Sequence, residues 1–230
     1  MRGFFIYMTE QEIINSVYYL VEIDSEPWTS SDDEYLTARG LCNIAINRWD
    51  KYENTVWNDL IVNLTDSDVS LLGDKVTVAE TYSYDCPTDF VRPVSFVRIG
   101  GELYDVKKVT EIQSLKDSQA KWVYFRGNIK DGYKINLNPN LTVVAGEVIE
   151  YEYYKKTSSF SETSSESEMS DPYFIVYFVA AHMGDEGINT DYYQMAEARL
   201  EQMSTVNMSG LFGVSSNMDT SLDSNDGFGN

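Results

Sequence analysis

The sequence predicts an α+β fold: a helical bundle formed by N-terminal and C-terminal helices, with an inserted antiparallel β domain and an extended polar C-terminal tail. Three observations lead to this prediction. Apolar residues follow helical spacing near both ends of the chain, they alternate with period two in the middle, and the last stretch is polar. We therefore divide the 230 residues into an N-terminal helical segment (1–70), a β domain (75–156), a Ser/Glu-rich linker (157–171), C-terminal helices that complete the bundle (172–204) and a tail (205–230).

Two helices are predicted in the N-terminal segment. Thr9 and Glu12 form a capping box ahead of apolar residues at helical spacing, which predicts a helix over about residues 10–22. A second helix, capped by Ser31 with Glu34, has an apolar stripe on alternating three- and four-residue steps, typical of a helix that packs on another helix. The stripe comprises Tyr35, Ala38, Cys42, Ala45, Trp49 and Tyr52.

The middle of the chain predicts strands with one buried face, because apolar and polar residues alternate there. Asp131-Gly132 lies between two alternating runs and is a strong hairpin signal, since glycine accepts a positive φ without steric cost. Gly100-Gly101 predicts a second hairpin, between the runs Phe90–Ile99 and Leu103–Val106. The densest strand signal is the Lys121–Lys156 stretch.

The predicted linker is polar and rich in serine. Residues 157–171 contain seven serines and four acidic residues but two apolar side chains. Such a segment buries too little apolar surface to offset the entropy of ordering it, so we expect a flexible connection. Asp171-Pro172 then begins a helix, and Asp191–Met203 has the pattern of another.

The C-terminal stretch is the candidate partner-binding segment. Residues 204–230 contain no lysine or arginine and are expected to be disordered in isolation. Bulky apolar side chains stand in this polar context, and such side chains can order a segment by docking on a partner. The candidate partner-binding residues are Leu211, Phe212 and Phe228.

Composition narrows the function classes. With 17 basic and 37 acidic residues the formal charge is -20, which argues against a nucleic acid gripped through its phosphates. Cys42 and Cys86 are too few for a disulfide scaffold, so we expect free thiols. The apolar run in Met1–Met8 is too short for a signal peptide, and no later stretch approaches 18 apolar residues, so we expect neither secretion by a signal peptide nor a membrane span.

No catalytic, cofactor or metal motif is found in the sequence. His182 is the only histidine, and Gly100-Gly101 lacks the Gly-Lys-Ser/Thr that a phosphate-binding loop needs. Glu150 and Glu152 stand at i and i+2 on one predicted strand, so they share a face and do not oppose each other across a cleft, as glycoside hydrolysis requires. The 17 tyrosines would suit a sugar-binding platform, but their period-two placement would equally suit a β core or a subunit interface. We expect no enzyme.

The order of predicted elements resembles the head-to-tail adaptor (connector) proteins of tailed bacteriophages. The likeness covers about residues 9–208. It is carried by Arg48-Trp49 in the second helix, the Tyr84–Phe90 sequence YDCPTDF, the Tyr151–Lys156 sequence YEYYKK, and Asp171-Pro172-Tyr173 at the start of a C-terminal helix.

This resemblance implies a structural virion protein of the neck, made in the host cytoplasm and acting without catalysis or cofactor. Its copies would form a ring, usually of twelve, between the portal protein and the tail or nozzle proteins. The helices would pack between subunits, the β domain would face the tail, and the C-terminal segment would reach the portal. An acidic ring would let DNA pass along the exit channel without specific binding. Two alternatives stay open: an aromatic-rich β-type carbohydrate-binding module, or another neck or tail completion protein.

Overall fold

A computed structural model of the chain describes residues 7–22, 26–64, 76–184 and 187–213, with the backbone alone at 54 and 208–213. The chain divides into two compact units. The helical unit comprises Met1–Asp59 and Ser158–Asn230, and the sheet unit comprises Leu60–Thr157.

The sheet unit is a seven-stranded, curled, mixed sheet. Its strands are β1 (Ile61–Leu64), β2 (Ser83–Asp85), β3 (Phe90–Ile99), β4 (Glu102–Val106), β5 (Trp122–Asn128), β6 (Gly132–Leu137) and β7 (Ile149–Lys155), in the spatial order β1-β7-β3-β4-β5-β6-β2. The predicted fold class, a helical bundle with an inserted antiparallel β domain, is therefore wrong. The sheet dominates the fold, and β4 and β5 run parallel, with Asp105 opposite Trp122.

A crossover explains the parallel pair. Between β4 and β5 the chain passes through a 3₁₀ helix, Val109–Leu115. It then returns to begin β5 directly beside the end of β4. The buried amide of Asn138 secures the returning loop, because its Nδ2 donates to the carbonyl oxygens of Ser118 (2.9 Å) and Ala120 (2.8 Å). Alternation along a strand indicates which face is buried but not which way the strand runs, so the sequence could not predict this pairing.

Both predicted hairpins are confirmed. Gly100 and Gly101 join β3 to β4 with φ of 57° and 80°, and Gly132, with φ of 82°, begins β6 after the turn from β5. The alternating residues of these strands meet in one apolar cluster. Its buried members are Leu64, Cys86, Phe90, Val97, Ile99, Tyr104, Val123, Ile135, Leu137, Ile149, Tyr151 and Tyr153.

The helical unit is built around one buried helix. Its helices are α1 (Glu10–Val21), α2 (Asp33–Asp50), α3 (Tyr173–His182) and α4 (Thr190–Gly213), and α3 packs against the other three. Apolar side chains cover nearly the whole circumference of α3, which is typical of a helix without a solvent face. The capping box of α1 is confirmed at Thr9. Helix α2 begins after Asp32, one residue beyond the predicted Ser31 cap, and α4 continues ten residues past the predicted end at Met203.

The predicted linker is an ordered part of the helical unit. Phe160 and Met169 are buried, and the Phe160 backbone exchanges two hydrogen bonds with the Asn43 amide, at 2.7 and 3.1 Å. Further along, the Ser167 N–H donates to the Met8 carbonyl oxygen at 2.9 Å. Composition did not reveal this ordering because backbone hydrogen bonds and two apolar anchors, not a large apolar face, hold the segment.

A buried ion pair joins α1 to α2. Glu10, in the first turn of α1, is 0% exposed, and its Oε1 accepts from Arg39 Nε (2.7 Å) and from the Tyr35 hydroxyl (3.0 Å). Burial and the neighbouring Glu10 carboxylate raise the pKa of Tyr35 to about 12, so its hydroxyl stays a donor across the physiological range.

Replacing Arg39 by methionine should destabilise the protein by about 3 kcal/mol or more, because it leaves the Glu10 carboxylate buried without its cation. The double variant Glu10→Gln, Arg39→Met should recover part of this loss, since glutamine keeps an acceptor for the Tyr35 hydroxyl and carries no charge. Chemical denaturation of the wild type, Glu10→Gln, Arg39→Met and the double variant gives the four free energies of unfolding. Their difference measures the coupling free energy between Glu10 and Arg39. Equal losses in the single Arg39→Met and the double variant would contradict the role assigned to the ion pair.

Gly127 should tolerate no side chain. Its φ is 144°, and an added Cβ would overlap the Gly132 carbonyl oxygen and lie 2.6 Å from Tyr133 Cα. Because the obstructing atoms are backbone of the paired strand, Gly127→Ala should cost about 2 kcal/mol or more. Gly101→Ala is the matched control: it also has a positive φ but open space around the added Cβ, so about 1 kcal/mol of strain is expected. Thermal unfolding of both variants tests the difference.

Candidate assembly surfaces and a candidate binding pocket

The outward side of α2 carries no charge over about three turns. The inward side is buried at helical spacing and packs on α3, as the sequence stripe predicted from Tyr35 to Trp49. Tyr52, the last residue of the predicted stripe, lies beyond the end of α2 at Asp50. The exposed residues of the opposite side, here called the neutral α2 face, are Leu36, Thr37, Gly40, Ile44 and Asn47. Leu36 is 48% exposed and Ile44 56% exposed, and a Cβ added at Gly40 would meet no atom within 4 Å. This face is accessible, apolar at two positions and uncharged.

Helix α4 has a similar outward side. Its inward side is anchored by Ala196, Leu200 and Met203, which are buried. Five exposed residues form an uncharged strip, here called the neutral α4 face: Met195, Ala198, Gln202, Thr205 and Val206. The exposed carboxylates of Asp191 and Glu201 border this strip. Val206 is 64% exposed. The helical unit therefore presents two uncharged surfaces on two different helices, although the whole chain has a formal charge of -20.

Arg48 fixes α4 against α2. Its Nη2 lies 2.8 Å from Glu197 Oε1, its Nη1 donates to the Tyr193 hydroxyl at 3.0 Å, and its guanidinium lies 5.8 Å from the centre of the Phe178 ring. A second ion pair, Arg199 with Asp171 at 2.9 Å, ties α4 to a residue two positions before α3. Arg39, Arg48 and Arg199 thus point toward neighbours inside the unit, and the neutral faces keep their lack of charge.

A pocket of about 400 Å³ opens beside residues 202–207 of α4. Trp57 and Met203, which are buried, and Val206 give it apolar walls. Its remaining lining residues are Asn58, Asp59, Ser170, Asp171, Gln202 and Asn207. We call this cavity the Asp59 pocket. Its volume falls within the roughly 300–1,000 Å³ of typical ligand sites.

Asp59 is the half-buried carboxylate of this pocket. Its Oδ2 accepts from the Ser170 backbone N–H at 3.1 Å, and the Ser170 side chain also bonds to it. Burial raises the pKa of Asp59 above its ordinary value, while the two Ser170 hydrogen bonds act in the opposite direction. Within the described ranges no lysine or arginine forms an ion pair with it.

The sheet unit offers a smaller cavity of about 140 Å³, lined by Asn63, Ser95, Phe96, Arg98, Glu150, Tyr151 and Glu152. The Arg98 guanidinium lies 4.9 Å from the centre of the Phe96 ring and covers that face. Glu150 and Glu152 lie on the same side of β7, as predicted. The cavity is too small to bury a typical ligand. Tyr104, Tyr151 and Tyr153 belong to the sheet core, so they form no sugar-binding platform.

The residues singled out in the sequence occupy varied positions. Leu211 and Phe212 lie in the last turn of α4, where the backbone alone is described, and Phe228 lies outside the described residues. His182 Nδ1 lies 2.7 Å from the Phe178 carbonyl oxygen, so this histidine is tied to its own helix. Cys42 and Cys86 are buried and form no disulfide, as predicted.

Sequence reasoning missed the neutral faces and the Asp59 pocket. A signal for the faces was present: the outward positions of α2 from Leu36 to Asn47 lack charge in a chain that is 23% charged. No sequence signal could have identified the pocket, because its walls come from three segments far apart along the chain.

The part of the chain that the structure describes has neither a clustered metal site nor a membrane-spanning helix. It contains no group of three or more His, Cys, Asp or Glu side chains placed to hold a metal ion. Its helices include none that combines the length and apolar character needed to cross a membrane. No protein-family model matches the sequence, and no curated protein shows significant similarity to it.

Proposed function

We propose that this protein is a structural subunit of a tailed-bacteriophage neck, a head-to-tail adaptor that forms a ring between portal and tail. The observation that carries the proposal is the pair of neutral faces on α2 and α4 in a chain of charge -20. The order of motifs in the sequence supports the phage setting, and the two faces support self-assembly.

Charge decides where copies of such a chain approach each other. Identical acidic chains repel over roughly the 8 Å Debye length of physiological salt. Like charges placed opposite each other within an interface cost several kcal/mol. Contact is least unfavourable where neither surface carries charge, and the neutral α2 and α4 faces meet this condition. Leu36, Ile44 and Val206 supply exposed apolar area for such a contact.

The two faces differ, and this difference favours a ring. A symmetric dimer uses one self-complementary patch, whereas contact between two different patches repeats head to tail and closes when the rotation fits. The α2 face has a gap at Gly40 between two apolar side chains, and the α4 face has protruding Met195 and Val206. Packing α2 of one copy against α4 of the next buries both.

Ring assembly also gives the acidic composition a role. Copies arranged around a channel would line it with carboxylates, and DNA passing through would meet repulsion instead of phosphate-gripping lysine and arginine. The surplus of 20 acidic residues over basic ones suits transit of DNA better than its retention.

Ile44→Glu and Ala198→Glu should each block ring formation. Each adds a negative charge to one neutral face, and the expected weakening is about tenfold or more at every subunit contact. Native mass spectrometry and sedimentation of the full chain, with and without portal protein, measure the ring. Ile129→Glu is the matched control, because Ile129 is 73% exposed in the sheet unit and belongs to neither face. A wild-type chain that stays monomeric even with portal, or variants that assemble normally, would overturn the proposal.

Removing residues 214–230 should leave the fold intact and weaken binding to the portal. The deletion retains the buried Ser204 and the Asn207 amide, which donates to the Val56 carbonyl oxygen at 2.6 Å. Melting temperature and portal binding are the two measurements. Substituting Leu211, Phe212 and Phe228 together by serine in the full chain should reproduce the binding defect. A deletion starting at Ser204 is the contrasting control, expected to lower stability because it removes those contacts. Unchanged portal binding by the shorter chain would remove any role for the tail.

A further inference from the structure

We propose that the Asp59 pocket binds an alkyl-ammonium or alkyl-guanidinium group, the chemical class of a lysine or arginine side chain or of a small aliphatic amine. The proposal stands apart from ring assembly, because it depends on this cavity alone.

The pocket combines an apolar body with one acidic end. Trp57, Met203 and Val206 suit a short aliphatic stem, and Asp59 supplies an anionic oxygen. An amphipathic cation matches both, because its methylene groups bury apolar area while its charged head meets the carboxylate. A neutral apolar ligand would leave Asp59 buried without compensation, and an anion would be repelled.

The charge of Asp59 has no partner cation in the described part of the chain. The neighbouring Asp171 differs, because its Oδ2 is paired with Arg199 and its Oδ1 accepts from the Tyr173 N–H at 3.1 Å. Among the described residues, Ser170 alone donates hydrogen bonds to Asp59, and an ionised carboxylate has about four acceptor sites. Asp59, which lines the cavity, therefore retains acceptor capacity.

The walls are held in place before any ligand arrives. The Asn207 side chain donates to the Val56 carbonyl oxygen at 2.6 Å and accepts from the Asn58 N–H at 2.8 Å. The Trp57 indole N–H donates to the Trp49 carbonyl oxygen at 2.7 Å. Binding to a preformed pocket avoids much of the entropy cost of ordering its side chains.

A purely structural role for Asp59 makes a different prediction. The raised pKa of Asp59 means that its surroundings in the protein disfavour the ionised carboxylate relative to water. Asp59→Asn removes that charge and keeps an acceptor for Ser170, so at neutral pH the variant should melt at the same temperature as the wild type or higher. A carboxylate present only for stability would give a lower melting temperature.

The binding test uses n-butylguanidinium and n-butylammonium chloride as probes, with uncharged n-butylurea as the control. Chemical shifts of the Trp57 indole and the Ser170 amide should move saturably with both cations, and the dissociation constant should rise at least tenfold in Asp59→Asn. Glu201→Gln is the matched control, since it removes an exposed carboxylate of α4 that does not line the pocket, and it should bind almost normally. Equal titrations for wild type and Asp59→Asn, equal effects of butylurea, or no saturation at tens of millimolar would overturn the proposal.

Sedimentation then identifies the source of the cation. If a side chain of a second copy occupies the pocket, the Asp59→Asn variant should form a smaller assembly than the wild type does. The Glu201→Gln variant should form an assembly of wild-type mass. If small aliphatic amines occupy it, the mass is unchanged and the probes bind the assembled form as they bind the monomer. Either result supports a cation site, and failure of both probes refutes it whether or not the ring forms.

Discussion

The buried contact of Glu10 with Arg39 and Tyr35 is the constraint on which the helical unit depends. Helix α1 touches α2 far less than it touches α3, so this contact supplies much of the direct link between the first two helices. The same turn of α1 anchors the ordered 158–171 segment, because the Glu10 N–H donates to the Ser165 carbonyl oxygen at 2.7 Å. One residue thus joins α1, α2 and a segment more than 150 positions later in the chain.

Specific placement, more than stability, is the contribution of this contact. A buried ion pair gains little over well-packed apolar side chains, since desolvation of the charges offsets their attraction. Glu10 Oε2 has no hydrogen-bond partner within the described residues, which adds to the cost. Burial, reinforced by the Glu10 charge, raises the pKa of Cys42 and keeps its thiol neutral. The contact turns Arg39 inward and fixes the rotational orientation of α2 about its own axis. The uncharged side of α2 therefore faces outward.

The sequence predicted local structure well and long-range arrangement poorly. The capping box at Thr9 and the turns at Gly100 and Gly132 were readable because each depends on residues a few positions apart. The parallel pairing of β4 with β5 was not, because strand direction depends on a crossover whose return no periodicity records. Ordering of the serine-rich segment was also hidden, since its hydrogen bonds are made by backbone groups that every sequence has. The pocket around Asp59 was not predictable either, because folding brings together three wall segments that are far apart in the sequence.

The two candidate surfaces are physically linked at α4. Gln202 and Val206 belong to the neutral α4 face and also line the Asp59 pocket, so a neighbouring copy that covers this face lies at the mouth of the cavity. A cation in the pocket would neutralise the Asp59 carboxylate beside this contact, and would thereby lower the repulsion that a second acidic chain meets there. Binding of a positive group by the half-buried Asp59 would then reduce the repulsion between two chains of charge -20.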